Sequence, residues 1–157
     1  TSTPKTTRVK YSTVPPSNGP HFAQDAVPNS SHFYTVADRP QMETLVHNLE
    51  HGYTLLGYNP TVSSAQVAQL KQVATLANKL DASAGKFLVS AWDPSYGQMP
   101  AGKNFALSHW SASLTSGSTA VASQAGHREL CGQLSGAVVK AFVQKFPRTS
   151  APEPGGA

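Results

Sequence analysis

Apolar positions recur in two rhythms along this chain. The helical rhythm is clearest after Ser63, where Val67, Leu70, Val73, Ala74, Ala77 and Leu80 fall on one stripe. Ser63 followed three residues later by Gln66 is a capping box, so the start of that helix is fixed locally. A shorter helix is predicted from Asp38, with Pro40 in its first turn and Gln41 completing a second box. It runs to His51 and stops at Gly52. Met42, Leu45, Val46 and Leu49 share its apolar face, while Glu43, His47, Glu50 and His51 share the other. Leu130, Leu134, Val138, Ala141 and Phe142 predict a third helix over residues 127–146. Short apolar runs bounded by turn residues predict strands at 53–58, 86–92 and 104–110, with an edge strand at 8–13. The Ser/Thr/Gly/Ala-rich stretch 111–126 reads as an exposed excursion.

These elements mix strands and helices without strict alternation and without a glycine-rich phosphate loop. The expected fold class is α+β: a compact single domain, a small sheet with two long helices packed on it and a short His-bearing helix. Residues 1–7 are expected to be a disordered N-terminal segment, 8–148 the domain, and 149–157 a flexible tail.

Composition narrows the function classes. The chain has 157 residues, ample for one core, but only 13% of them are charged. Ser, Thr, Ala and Gln occupy the expected surface positions, a composition that suits a secreted or cell-envelope protein. The formal charge of +4 is scattered and carries no basic run interleaved with aromatics, so nucleic acid is not the expected partner. No stretch of about 20 apolar residues predicts a transmembrane segment in this chain. An envelope anchor would lie in a segment outside it. Cys131 is the single cysteine, expected as an inert thiol on the last helix.

The chemistry concentrates in His47-Asn48-Leu49-Glu50-His51-Gly52. Residues at i and i+4 lie one above the other on a helix, so His47 and His51 are placed to share one metal ion. A third ligand must come from elsewhere. His21 is the first candidate, because Val14-Pro15-Pro16-Ser17-Asn18-Gly19-Pro20 forms a rigid loop that aims it. His109 and His32 follow, then His127 at the start of the third helix. Imidazole donors suit copper or zinc, and Met99 in its Tyr/Gly/Pro loop adds a thioether that would favour copper. Glu50 between the two histidines reproduces the inverted zinc-peptidase spacing, which gives it a candidate catalytic role as general base.

The segments Pro15-Pro16-Ser17-Asn18-Gly19-Pro20-His21 and His47-Asn48-Leu49-Glu50-His51-Gly52-Tyr53, followed by Tyr58-Asn59-Pro60, resemble the DUF3105 family of bacterial and archaeal proteins of unknown function. Members of that family are often exported or held behind an N-terminal membrane helix. The resemblance implies that Ser17, His21, His47, Glu50 and His51 converge on one site. The chain departs from the pattern at Asn18-Gly19, where Thr-Ser-Gly is more usual, and at Ser108-His109-Trp110, where a Thr-Ala-Trp segment is common. The family supplies no reaction.

Three functions compete on these observations. The first is a cell-envelope metal-binding protein for copper or zinc, with His47, His51 and His21 as ligands. The second is a metal-dependent enzyme with Glu50 as base. The third is a metal-free envelope interaction domain, whose partner the sequence does not name, that uses its Pro/Gly loops as the contact surface.

Overall fold

The computed structural model describes residues 2–3, 7–114 and 121–157. In chain order these form β1 (Ser2–Thr3), β2 (His21–Phe22), β3 (Phe33–Tyr34), α1 (Met42–Glu50), β4 (Thr54–Tyr58), α2 (Ser64–Ala77), β5 (Phe87–Ala91), β6 (Phe105–Leu114), β7 (Val121–Cys131) and α3 (Gly136–Lys145). β1 and β2 pair in parallel as a separate two-stranded ladder. The other five strands make one mixed sheet in the order β3-β5-β4-β6-β7.

The centre of that sheet follows from sequence. β4 and β5 read Thr-Leu-Leu-Gly-Tyr and Phe-Leu-Val-Ser-Ala, and every residue in both is buried. Near-continuous apolar runs of this kind belong to strands covered on both faces. They pair in parallel, Leu55 opposite Leu88 and Leu56 opposite Val89, with α2 as the crossover. β6 then adds antiparallel to β4, Tyr58 opposite Phe105, and β7 antiparallel to β6.

Side chains alternate across a strand, so the sheet carries two cores. On one face Leu56, Phe87, Val89 and Leu107 pack with Leu70 and Ala74 of α2 and with Val139, Phe142 and Val143 of α3. On the other, Leu55, Leu88, Ala106 and Trp110 pack with Met42, Leu45, Val46 and Leu49 of α1. The expected α+β class, with two longer helices and a short helix bearing His47, is the observed one.

Three local expectations are corrected. α1 begins at Met42 behind an extended Gln41, not at Asp38. The Asp38 carboxylate accepts hydrogen bonds from the Thr35 amide (2.6 Å) and hydroxyl (2.8 Å), so it closes the preceding turn instead of capping the helix. Arg39, which precedes Pro40, is disfavoured in helical geometry. Residues 127–131, read as the start of the last helix, are the end of β7, paired Ala106 to Leu130 and Phe105 to Cys131. α3 starts only at Gly136, where the Ser135 hydroxyl accepts from the Val138 amide. Residues 8–13 form no strand; the Val9 amide instead donates to the carboxylate of Glu43 on α1.

Within the expected excursion 111–126, residues 111–114 and 121–126 belong to β6 and β7, and 115–120 lie outside the described residues. Of the expected N-terminal segment 1–7, residues 1 and 4–6 also lie outside them. The α2 capping box is present as read, the Ser63 hydroxyl accepting from the Gln66 amide and the Gln66 side chain from the Ser63 amide. No described helix is long and apolar enough to cross a membrane.

Candidate metal centre

The polar face of α1 meets neither bulk water nor an open cleft. The N-terminal segment folds over it, and successive polar side chains each fix one piece of that segment. Glu43, fully buried, accepts from the Val9 amide at 2.7 Å and from the Tyr96 hydroxyl at 2.5 Å. Asn48, equally buried, accepts from the Ala26 amide and donates to the Ala26 carbonyl, at 2.8 and 2.9 Å. Glu50 turns its carboxylate to His21, Oε2 lying 3.1 Å from Nε2. The loop carrying His21 and Asp25 is thus registered on the helix carrying His47 and His51.

His21 stands at the start of β2, 3% exposed, with the edge of Trp110 against its ring. Its Nδ1 is 2.9 Å from the Gly19 carbonyl. A carbonyl only accepts, so Nδ1 carries a proton, and Nε2 is the ring nitrogen that faces the Glu50 carboxylate. A histidine held by a backbone carbonyl through one nitrogen, with the other turned into a polar cluster, has the orientation common to metal-ligating imidazoles. His51, the C-cap of α1, is held alike. Its Nδ1 lies 3.3 Å from the Ala157 carbonyl and 3.6 Å from Asp25 Oδ2, while Nε2 faces the cluster.

Between them sits His47. Its Nε2 is 3.1 Å from His51 Nε2, and its ring centroid is 4.8 Å from that of His21. Two nitrogens on one tetrahedral zinc would stand about 3.3 Å apart, given bonds of about 2.0–2.1 Å. His47 Nδ1 is buried with no hydrogen-bond partner. Burial, then the neighbouring His51 and His21, pushes the His47 pKa down, against a smaller pull from Asp25 and Glu50. His47 is therefore neutral at pH 7 and its lone pair is available.

Two groups of side chains come close enough to hold a metal ion. His21, His47 and Glu50 offer one ligand atom each within 4.8 Å, and so do Glu50, His51 and Glu153. Glu153 comes from residues 149–157, the expected flexible tail. In the structure the Glu153 amide donates to the Glu50 carbonyl at 2.9 Å. Lys86 directs its ammonium to the carbonyls of His51, Pro154 and Gly156, at 2.7, 3.1 and 2.7 Å. Gly156 lies flat on the His51 ring, where a Cβ would overlap the imidazole. Gly52, in the left-handed region at φ +96°, lets the chain leave α1 directly against the Arg148 backbone.

The other sequence-derived candidates are placed elsewhere. Met99 is buried in the apolar core beneath α1. His109 sits next to Trp110 on β6 and so points to the opposite face of the sheet. Its Nδ1 is 3.2 Å from the Tyr53 carbonyl and its Nε2 3.0 Å from the Ser150 hydroxyl, so both nitrogens are engaged. His32 binds the Phe87 carbonyl, and His127 stacks on Phe146 with Nε2 2.6 Å from the Ser111 hydroxyl. Ser17, which the resemblance implied would join the histidines, is buried beside Gly126, the β7 residue paired with Trp110, whose ring meets His21. Sequence reasoning missed Asp25, Asn48, Glu153 and Lys86. None of the four left a signal in its local sequence.

The sequence model of the family described as "Protein of unknown function (DUF3105)" matches residues 2–157. No curated protein and no solved structure matches the chain.

Proposed function

This chain belongs to the DUF3105 family, and we propose that it is a cell-envelope protein that binds a divalent transition metal, zinc or copper(II). The observation that carries the reading is the convergence of His21, His47, His51 and Glu50 from two separate segments. Each outer imidazole is oriented through its Nδ1, and His47 is held neutral between them. A donor set of imidazole and carboxylate without sulfur suits zinc and copper(II) better than copper(I). With Met99 packed in the core, the thioether that would have favoured copper(I) is not among these donors.

Binding is favoured over catalysis at Glu50. Its carboxylate contacts His21 and belongs to both ligand groups, which supports a coordinating role rather than that of a base standing off a bound water. The envelope assignment rests on the sparsely charged composition and on the export common in the family.

The test is calorimetric titration of chelator-stripped protein with Zn(II) and with Cu(II), beside the His47→Ala/His51→Ala double variant. Tight uptake by the wild type, weakened at least about 100-fold in the variant, is the expected result, since two direct ligands are gone. Equal affinities in the two proteins would refute the site.

A further inference from the structure

The donors around α1 fall into two overlapping groups. The two ligand groups share Glu50 and no other residue: His21 and His47 belong to one, His51 and Glu153 to the other. We infer that Glu50 bridges two cation positions, one formed with His21 and His47 and a second with His51 and Glu153. This inference rests on the metal-binding reading above and extends it from one ion to two.

Three features build the second position. The His51 ring is oriented by contacts at Nδ1, from the Ala157 carbonyl and the Asp25 carboxylate, and its Nε2 lies between His47 Nε2 at 3.1 Å and Glu153 Oε2 at 3.7 Å. Glu153 is solvent-exposed along its side chain, yet its backbone is fixed. Its amide is bonded to the Glu50 carbonyl, and Lys86 fastens the residues after it to the end of α1. The carboxylates of Asp25, Glu50 and Glu153 therefore gather round one imidazole, while the nearby ammonium of Lys86 is directed to carbonyls. A cation placed among these carboxylates would be attracted by all three.

The bridge follows from the chemistry of Glu50. A carboxylate has two oxygens and about four lone-pair directions, enough to serve one ion with each oxygen. Two-metal sites place their ions about 3.5–4 Å apart, a separation one bridging carboxylate spans. The two positions would differ in character. The His21/His47 side is the more buried and richer in nitrogen, while the His51/Glu153 side is more open and richer in carboxylate. Zinc is expected to fill the nitrogen-rich position first.

Chelator-stripped protein titrated with Zn(II) and followed by native mass spectrometry tests this, with wild type beside Glu153→Gln and Glu50→Gln. Circular dichroism checks that each variant is folded. The wild type should add two zinc ions in succession. Glu153→Gln should keep the first step and weaken the second by about tenfold or more, whereas Glu50→Gln should weaken both. Should Glu50→Gln not fold, Glu50→Asp, which keeps the charge and shortens the reach, should also weaken both steps. A single zinc in the wild type, unchanged by Glu153→Gln, would overturn the second position and leave the one-ion site standing. Loss of only one step in both Glu50 variants would overturn the bridge. No zinc in any of the proteins would remove the metal-binding reading itself.

Discussion

Replacing Glu43 by alanine should destabilise the fold more than removing any metal-binding histidine. Glu43 is fully buried on α1 and accepts from the Val9 amide and the Tyr96 hydroxyl. The alanine variant leaves both donors without their acceptor and opens a cavity beside the helix. Those effects together amount to about 3–4 kcal/mol. Glu43 ties the N-terminal segment and the loop containing Tyr96 to one helix, and Arg8 stacks over the Tyr96 ring, its guanidinium carbon 4.1 Å from the centroid. Burial, aided by the hydrogen bond to Glu43, raises the Tyr96 pKa, so the phenol stays protonated as the donor this contact needs. Urea unfolding of metal-free protein should show the midpoint displaced by that amount, with Glu43→Gln less affected because one acceptor oxygen remains. A change below about 1 kcal/mol for Glu43→Ala would mean that the contacts at this carboxylate contribute little.

The second large effect is a pH dependence set by His109. The ring is fully buried, and burial holds its pKa down from 6.5 to about 4. The hydrogen bond to Tyr53 pulls weakly the other way, and the neighbouring His127 adds to the lowering. The unfolded chain takes up a proton at this residue near pH 6.5, whereas the folded chain resists until about pH 4. The stability it contributes is therefore fully present above pH 6.5 and is lost as the pH falls towards 4. At about 1.4 kcal/mol for each pH unit crossed, the loss comes to about 3 kcal/mol. His47 and His127, both lowered chiefly by burial, add in the same direction. Chelator-treated wild type and His109→Gln, unfolded in urea at pH 7 and pH 4.5, separate the contributions. The stability loss on acidification should shrink by about 2–3 kcal/mol in the variant, and parallel pH profiles would contradict it.

What was legible in the sequence was what is decided locally. Ser63 and Gln66 cap α2 because both partners lie within four residues. β4 and β5 announce themselves as near-continuous apolar runs, and His47 and His51 converge because helix geometry alone brings i and i+4 together. The Pro-rich loop likewise delivers His21 to α1. The misreadings came where a distant partner outweighed a local pattern. Leu130 and Leu134 have helical spacing, yet ten ladder pairs with β6 hold residues 121–131 extended. Asp38 has an N-cap's identity but a closer donor in Thr35.

At the site, sequence placed Glu43 on the polar face of a short helix and gave Asn48 no role. They are buried because residues 9 and 26 fold back across that face, a contact no local window contains. Asp25 and Glu153 reach His51 from opposite ends of the chain, and neither the polar stretch around Asp25 nor the Pro/Gly-rich segment around Glu153 carries a pattern that foretells it. His109 and Trp110 show the converse. Once their strand is placed, alternation alone sends Trp110 towards His21 and His109 away from it.

X-ray absorption at the zinc edge of the zinc-loaded protein tests the central claim most directly. A metal held by this cluster should show only nitrogen and oxygen neighbours at about 2.0–2.1 Å, with the outer-shell scattering of imidazole rings. A first shell of oxygen alone without imidazole, or sulfur at about 2.3 Å, would place the metal elsewhere and contradict the account.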